Sequence, residues 1–588
     1  MKAILFFSVV ISSFLSLSQD TTYPYERNQS FTYEEVHQAY RDLVTKYPKH
    51  CKLIQFGSSD QGENITLFLI HKDGKFQKED LKDKAVLLIN NAIHPGEPCG
   101  VDACVKLSED LLADAESIPE NVVIAIIPMY NVGGAMNRNC CSRANQNGPE
   151  MYGFRGNAKN LDLNRDFIKA DSRNTRIFYK IYHFLNPHVF VDTHTSNGAD
   201  YQHVMTLITS QKDKMHPSLK AYTLKALQPH LFAEMEKEGF PMVPYVHQLK
   251  KIPDDGIIDY LETPRYSTGY TNLFNTIGFV TETHMLKPFQ QRVEATYTFL
   301  ELLIRFMDKN SEDLISLKEK ADDHTAKDQK QFPLHWKLDT TTYELITFHG
   351  YEAEYKKSPV TGLDRLFYNR DKPWSKKIKY YNKYIPLDSV SKPNYYIIPQ
   401  AWQDVIVRLQ LNDIRLYRLN KDKKVEVEVY YIDDYQTSGS PYEGHYLHRD
   451  IKVSKQIKEI NYVKGDYVVP TESFDARFLI ETLEPHSVDS YFAWNYFDAI
   501  LQQKEWFSAY VFEDKAREML EQDPELKQDF EEKKKSDKEF ANSSFAQLYF
   551  IYKRSDNYER THNRYPVTRF MGDFKADEIK EASFLIGG

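Results

Sequence analysis

Four short apolar runs, residues 85–89, 122–127, 189–191 and 279–281, recur along the first half of the chain, each bounded by polar or turn residues and rich in β-branched side chains. Segments with helical spacing, such as 101–113 and 174–185, lie between them. Runs that are apolar throughout suit strands covered on both faces, and strands alternating with helices need crossover connections. The pattern therefore predicts an α/β unit with a mixed, largely parallel sheet and helices on both faces. Upstream, Thr32-x-x-Glu35 is a capping-box pattern opening a helix with Val36, Ala39, Tyr40 and Leu43 on one face. In sheets of this kind chemistry gathers in loops beyond the carboxyl ends of strands.

This unit is expected over 25–310, closed by an amphipathic helix at 290–308. A charged stretch, 311–334, reads as a linker or solvated helix. From 335 the character changes. Residues 425–432 read VEVEVYYI, the period-2 alternation of a half-buried strand. A β-rich accessory domain is expected over 335–485, and a mainly helical region over 486–588, for example at 491–501 and 514–538. Residues 1–18 combine a positive start, an apolar stretch with serines and small residues at a cleavage-like spacing. That is the layout of a signal peptide and predicts a secreted or periplasmic protein. The five cysteines, at least one of them necessarily free or paired between chains, show no C-x-x-C spacing and read as structural or incidental thiols. Acidic residues outnumber basic ones, 84 to 75, which argues against nucleic acid as a partner. No stretch after the first twenty residues is long and apolar enough to span a bilayer.

The chemistry-bearing residues cluster at the ends of the apolar runs. Residues 89–100 read INNAIHPGEPCG, with His94 and Glu97 three apart; an imidazole and a carboxylate suit Zn²⁺, though H-x-x-E alone is weak evidence. Residues 188–195, HVFVDTHT, deliver His194 at a strand end. A catalytic zinc needs three protein ligands and one open position, and two strand ends of one sheet can supply His94, Glu97 and His194. Asp192 is either a partner of a ligand or strand-end structure. Residues 155–167, RGNAKNLDLNRDF, read as a polar Asn-turn loop or as an anion pocket, guanidinium being suited to bidentate carboxylate binding. Residues 278–285, GFVTETHM, end a strand in Glu282, a solvated terminus or a general base.

Together these four segments resemble the zinc carboxypeptidase family, over most of residues 31–300 and including a looser match at 56–65. HPGE is similar to the family's first two zinc ligands, DTH to the third and DLNRDF to its substrate-carboxylate motif. The resemblance implies one Zn²⁺ on His94, Glu97 and His194, a carbonyl-polarising Arg155, a carboxylate clamp of Asn164 and Arg165, and catalytic Glu282. The implied activity is hydrolysis of the C-terminal peptide bond by zinc-activated water, with Glu282 as general base and peptide or protein C-termini as substrates. Gly96 stands where the family often has Arg, and Thr283-His284 follow the Glu where an apolar residue and Arg are common. The family's substrate-capping Tyr falls among Tyr260, Tyr266 and Tyr270. Two other readings stand beside this one: a zinc amidase acting on cell-wall peptides or other carboxylate-bearing amides, and a catalytically inactive peptide-binding relative. Residues 335–588 carry no catalytic constellation. His445-x-x-His448 is a metal pair or a surface loop, and 491–497 (YFAWNYF) is core packing or a binding groove. No partner of that region is identifiable.

Overall fold

The computed structural model describes residues 22–583; the expected signal peptide, 1–18, lies outside the described residues. The first helix, α1 (Tyr33–Lys46), is opened by both bonds of the capping box: the Thr32 hydroxyl accepts from Glu35 N at 3.3 Å, and the Glu35 carboxylate accepts from Thr32 N at 2.8 Å. A hairpin follows, β1 (Cys51–Ser58) and β2 (Asn64–Ile70), then β3 (Ala85–Asn90), α2 (Cys99–Ala113) and β4 (Val122–Ile127). After a long loop come α3 (Arg173–Leu185), β5 (Val189–Ser196), β6 (Met205–Thr209), β7 (Val243–Pro244), α4 (Ser267–Asn272), β8 (Ile277–His284) and α5 (Phe289–Lys309).

The eight strands form one sheet in the order β1-β2-β4-β3-β5-β8-β6-β7. The centre, β4-β3-β5-β8, is parallel; β1 and β2 run antiparallel to their neighbours, and β6 runs antiparallel to β8 and parallel to β7. Every residue of β3 and β4 is buried, as expected of strands roofed on both sides. Successive side chains feed two cores. Leu87 and Ile89 pack with α1, α2 and α5, whereas Val86 and Leu88 pack with α3 and α4. At about 1.5–3 kcal/mol per buried aliphatic side chain, these layers fix the register that aligns the strand ends.

The expected charged stretch is helical at α6 (Ser311–Asp323), which buries Leu314 and Ala321; Lys318 Nζ donates to Phe274 O at 2.6 Å. Beyond it, long antiparallel hairpins lead into a seven-stranded sheet that includes Lys423–Thr437 and His448–Tyr462. Val425, Val427 and Val429 point inward there while Glu426 stays exposed. Residues 491–501, read as helical from sequence, are turns ending in a 3₁₀ segment at Asp498–Leu501; Tyr491, Phe492, Ala493 and Trp494 are buried in succession, unlike the one-sided burial of an amphipathic helix. Helices occupy Ala509–Gln522 and Pro524–Ser536, and the chain then returns to the sheet at Thr568–Phe570 and Ile579–Glu581. Among the described residues no helix is long and apolar enough to cross a membrane.

The two halves share one core. Phe274, after α4, stacks on Phe478 with ring centroids 5.5 Å apart, and the Tyr270 hydroxyl donates to Asn412 Oδ1 at 2.6 Å.

Candidate metal centre and its cleft

Adjacent parallel strands put their carboxyl ends side by side. In register Asn90 faces Asp192, and His194 faces Glu282. Side chains two apart on a strand share a face, so Asp192, His194, Val280 and Glu282 all look the same way. Past β3 the chain turns through Ala92, held at φ 57° by Asn131 N bonding to its carbonyl at 3.1 Å. That left-handed step, costly for a residue with a Cβ, brings the segment carrying His94 and Glu97 back over the sheet.

Ligand atoms of His94, Glu97 and His194, all buried, lie within 4.8 Å of one another. His194 Nδ1 is 3.0 Å from Glu97 Oε2, and His94 Nδ1 is 3.3 Å from Glu97 Oε1. The far nitrogen of each ring is occupied by a carboxylate: His94 Nε2 meets Asp162 Oδ1 at 2.9 Å, and His194 Nε2 meets Asp192 Oδ2 at 3.0 Å. A proton held on each Nε2 leaves the Nδ1 lone pairs facing inward, the usual way a protein orients metal-binding imidazoles. His94 Nδ1 is buried with no hydrogen-bond partner, an orphaned position that a cation would fill. Two imidazole nitrogens and a carboxylate are a donor set that fits zinc.

The electrostatics are those of a tightly paired cluster. Burial works to raise the Glu97 carboxyl, but Arg143 and the two imidazoles outweigh it and hold the group well below the usual carboxylate range. Burial likewise opposes ionised Asp162, and His94, Arg155 and Arg165 prevail, keeping it low. Glu282 behaves differently. Burial, with Glu97 and Asp192 nearby, outweighs the opposing pull of His194 and Arg143 and pushes its carboxyl up to about 8. A group poised there can take and return protons near neutrality.

His94, Glu97, His194, Arg155, Asn164, Arg165 and Glu282 all line one cleft of about 440 Å³. Arg155 sits at its mouth, directing Nε and one terminal nitrogen to Asp162 Oδ2 at 3.1 and 2.9 Å. Asn164 Oδ1 accepts from Ser267 N at 3.2 Å, and the Arg165 guanidinium lies 4.5 Å from the Tyr266 ring centroid. Their loop is anchored by Asp166, which receives Lys169 Nζ at 2.9 Å and the N–H and hydroxyl of Ser172, the residue capping α3. Of the three tyrosines, Tyr260 and Tyr266 line the cleft; Tyr270 is fully buried in the core beside Tyr179. His284 points away, bonding Ala199 O at 2.8 Å.

Two charged cleft residues escaped the sequence reading. Arg143 donates to Glu97 Oε1 at 2.9 Å, and its side chain fills the space above Gly96, where an added Cβ would meet Arg143 Cδ at 2.6 Å. Glu262 is buried in the cleft wall. Neither stands in a recognisable motif; the only hint was the small residue at 96. Residues Cys140 and Cys141, just before Arg143, are disulfide-bonded to each other, and Cys51, Cys99 and Cys104 are buried thiols.

The C-terminal half reaches this loop. Glu443, at φ 49° on a hairpin tip, accepts from Asp162 N at 2.7 Å through its carboxylate. His445 bonds Asp171 at 2.8 Å, and His448 bonds Asp498 at 3.0 Å, so the two histidines serve separate contacts.

Residues 36–276 match the family model described as zinc carboxypeptidase. Carboxypeptidase 2 of Trichophyton tonsurans is 20% identical over 456 residues, covering 74% of this chain and 78% of its own length. Carboxypeptidase 2 of Trichophyton rubrum is 19% identical over 450 residues, with the same coverage of 74% and 78%. A crystal structure of carboxypeptidase A from Helicoverpa armigera aligns with 48% of this chain and 75% of its own, at 14% identity and a TM-score of 0.36.

Proposed function

We propose that the chain is a metallopeptidase of the zinc carboxypeptidase family, whose model matches residues 36–276, and that it removes single residues from free peptide C-termini, with Glu282 as general base and Asn164 and Arg165 as the carboxylate clamp. The reading rests on one observation: the candidate zinc ligands, three arginines and a carboxyl poised near neutrality share a single cleft.

His94, Glu97 and His194 would hold the zinc ion, which when bound supplies the Lewis acid that polarises the scissile carbonyl and acidifies water. Glu282 takes the proton of the attacking water and returns it to the leaving amine. Arg155 offers its guanidinium to the charge developing on the carbonyl oxygen. Asn164 and Arg165 grip the terminal carboxylate, which limits cleavage to the last bond and orients it. Export is part of the proposal and is supported by the layout of residues 1–18.

The test is Glu282→Gln. The variant should keep its zinc by metal analysis and lose turnover by on the order of 10²–10⁴-fold. Near-normal turnover would remove Glu282 from its role. Peptides with an amidated C-terminus should be poor substrates; equal cleavage of amide and free acid would remove the clamp, and cleavage of muropeptides instead would make the enzyme an amidase.

A further inference from the structure

A second cavity, of about 300 Å³, lies across β6 from the cleft and takes no part in the chemistry above. The two share their walls. Along β6 side chains alternate, so Leu207 and Thr209 line this cavity while Ile208, between them, lines the cleft. The same division recurs farther on, where Asp259 lines the cavity and Tyr260 the cleft. Another part of the lining is a helix with an irregular middle: Pro217–Tyr222 and Gln228–Lys237 are α-helical, and Thr223–Leu227 between them is a π-helical turn. Such turns recur at functional sites. This one carries Thr223 and Leu224 to the cavity. Thr223 is 1% exposed, and its hydroxyl, like that of Thr209, is buried without a hydrogen-bond partner. Native interiors leave few polar groups in that state.

Charge of both signs meets apolar surface in this cavity. Lys212 is the cation. Its ammonium makes no hydrogen bond among the described residues, and its ion pair is a long one, 3.7 Å to Oε1 of Glu344, a side chain 62% exposed. Asp259 supplies the anion. Its carboxylate accepts from Tyr380 Oη at 2.7 Å and Gln211 Nε2 at 2.9 Å, which leaves each oxygen a further lone pair. Leu207, Met215, Leu224 and Phe232 give the apolar remainder. Small-molecule sites begin at about 300 Å³, so the space suits one compact ligand and not a peptide chain. A carboxylic acid without an amine would leave Asp259 unmatched, and an amine without a carboxylate would leave Lys212 so. A molecule with both charges at one end and an apolar tail matches all three surfaces. That is a free α-amino acid with an aliphatic or aromatic side chain.

We propose that this cavity is a second ligand site, separate from the cleft, that binds a free amino acid with an apolar side chain. Lys212 holds the carboxylate, Asp259 the ammonium, and Leu207, Met215 and Phe232 the side chain. The test is calorimetric titration with leucine and phenylalanine. It uses the full zinc-loaded chain carrying Arg165→Ala, which removes the proposed carboxylate clamp from the cleft. One amino acid should bind per chain. Adding Lys212→Met should weaken it by on the order of 10–10²-fold. Adding Leu224→Trp, which fills the cavity with an indole from an exposed position, should abolish it. Leucine stripped of its amine (isocaproate) or of its carboxylate (isoamylamine) should bind at least about tenfold more weakly than leucine. No binding to the Arg165→Ala chain, binding unmoved by both Lys212→Met and Leu224→Trp, or isocaproate bound as tightly as leucine overturns the proposal. Hydrolysis of acylated dipeptides by the unaltered chain is read separately. Leucine bound as expected with no dipeptide cleaved upholds the cavity and sinks the peptidase reading. Dipeptides cleaved with no leucine bound to the Arg165→Ala chain sink the second site alone.

Discussion

Asp162 is the group whose replacement tests the architecture of the centre most sharply. Its Oδ1 meets His94 Nε2 and accepts from Asn164 N, both at 2.9 Å, while Oδ2 takes the fork from Arg155 at 3.1 and 2.9 Å. Asp162→Asn keeps the shape and removes one acceptor. With the amide nitrogen at the Oδ1 position it faces His94 Nε2 and drives the imidazole toward the wrong tautomer. At the Oδ2 position it faces two guanidinium donors. Loss of such an orienting carboxylate weakens metal binding by about 10–100-fold, or about 1.4–2.7 kcal/mol. Competition against a chromophoric chelator at neutral pH would read this directly, with His94→Ala as the reference for loss of the ligand itself. The metal-free variant should still unfold cooperatively, since the strands beneath the site are untouched. An Asp162→Asn protein that binds zinc as tightly as wild type, while His94→Ala does not, would refute the orienting role.

Zinc affinity should also rise with pH: burial disfavours a charged His194, but Asp192 and Glu97 prevail and raise its pKa well above the ordinary imidazole value, so a proton must leave before the metal enters. Below that raised pKa, affinity should change by about tenfold per pH unit for each proton released, and a pH-independent affinity would contradict it. Gly100→Ala puts a Cβ 2.1 Å from Thr193 Oγ1, where α2 crosses β5; denaturant unfolding should show a loss of about 1–3 kcal/mol, and an unchanged midpoint would mean the helix can retreat freely. Burial lifts the Asp475 carboxyl from 3.8 to about 7, so the fold holds a proton the unfolded chain has released, and stability falls as pH climbs from about 4 to about 7. Asp475→Asn should therefore stabilise increasingly over that window, by up to about 4 kcal/mol at its top, and equal melting shifts at both ends would rule the buried carboxyl out as the cause.

What could be read from the sequence follows from distance along the chain. His94 and Glu97 stand in one motif after a strand, and His194 and Glu282 each close an apolar run, so local pattern was enough to bring them forward. The parallel order of β3, β5 and β8 then brings them together. Arg143 and Glu262 come from loops whose course no periodicity reveals, and they reach the cleft only through tertiary folding. Asp162 lay inside the quoted DLNRDF motif, yet its bond to His94 depends on a separation of 68 residues. Residues 491–501 misled because their aromatic content resembles a helix face, while Tyr491 to Trp494 are buried in succession rather than on one side.

If the centre takes up zinc as proposed, the bond from Asp162 N to Glu443 makes the second half of the chain a silent participant in its capture. Asp162 steadies His94, and Glu443 steadies Asp162, so the hairpin tip and the ion would lean on one another through a single backbone amide. Thermodynamic reciprocity then runs both ways: whatever factor docking of the tip adds to zinc retention, zinc returns to docking. Chelation should thus loosen a surface remote in sequence, and a protease nick near residue 443 should leach the ion from a centre it never touches.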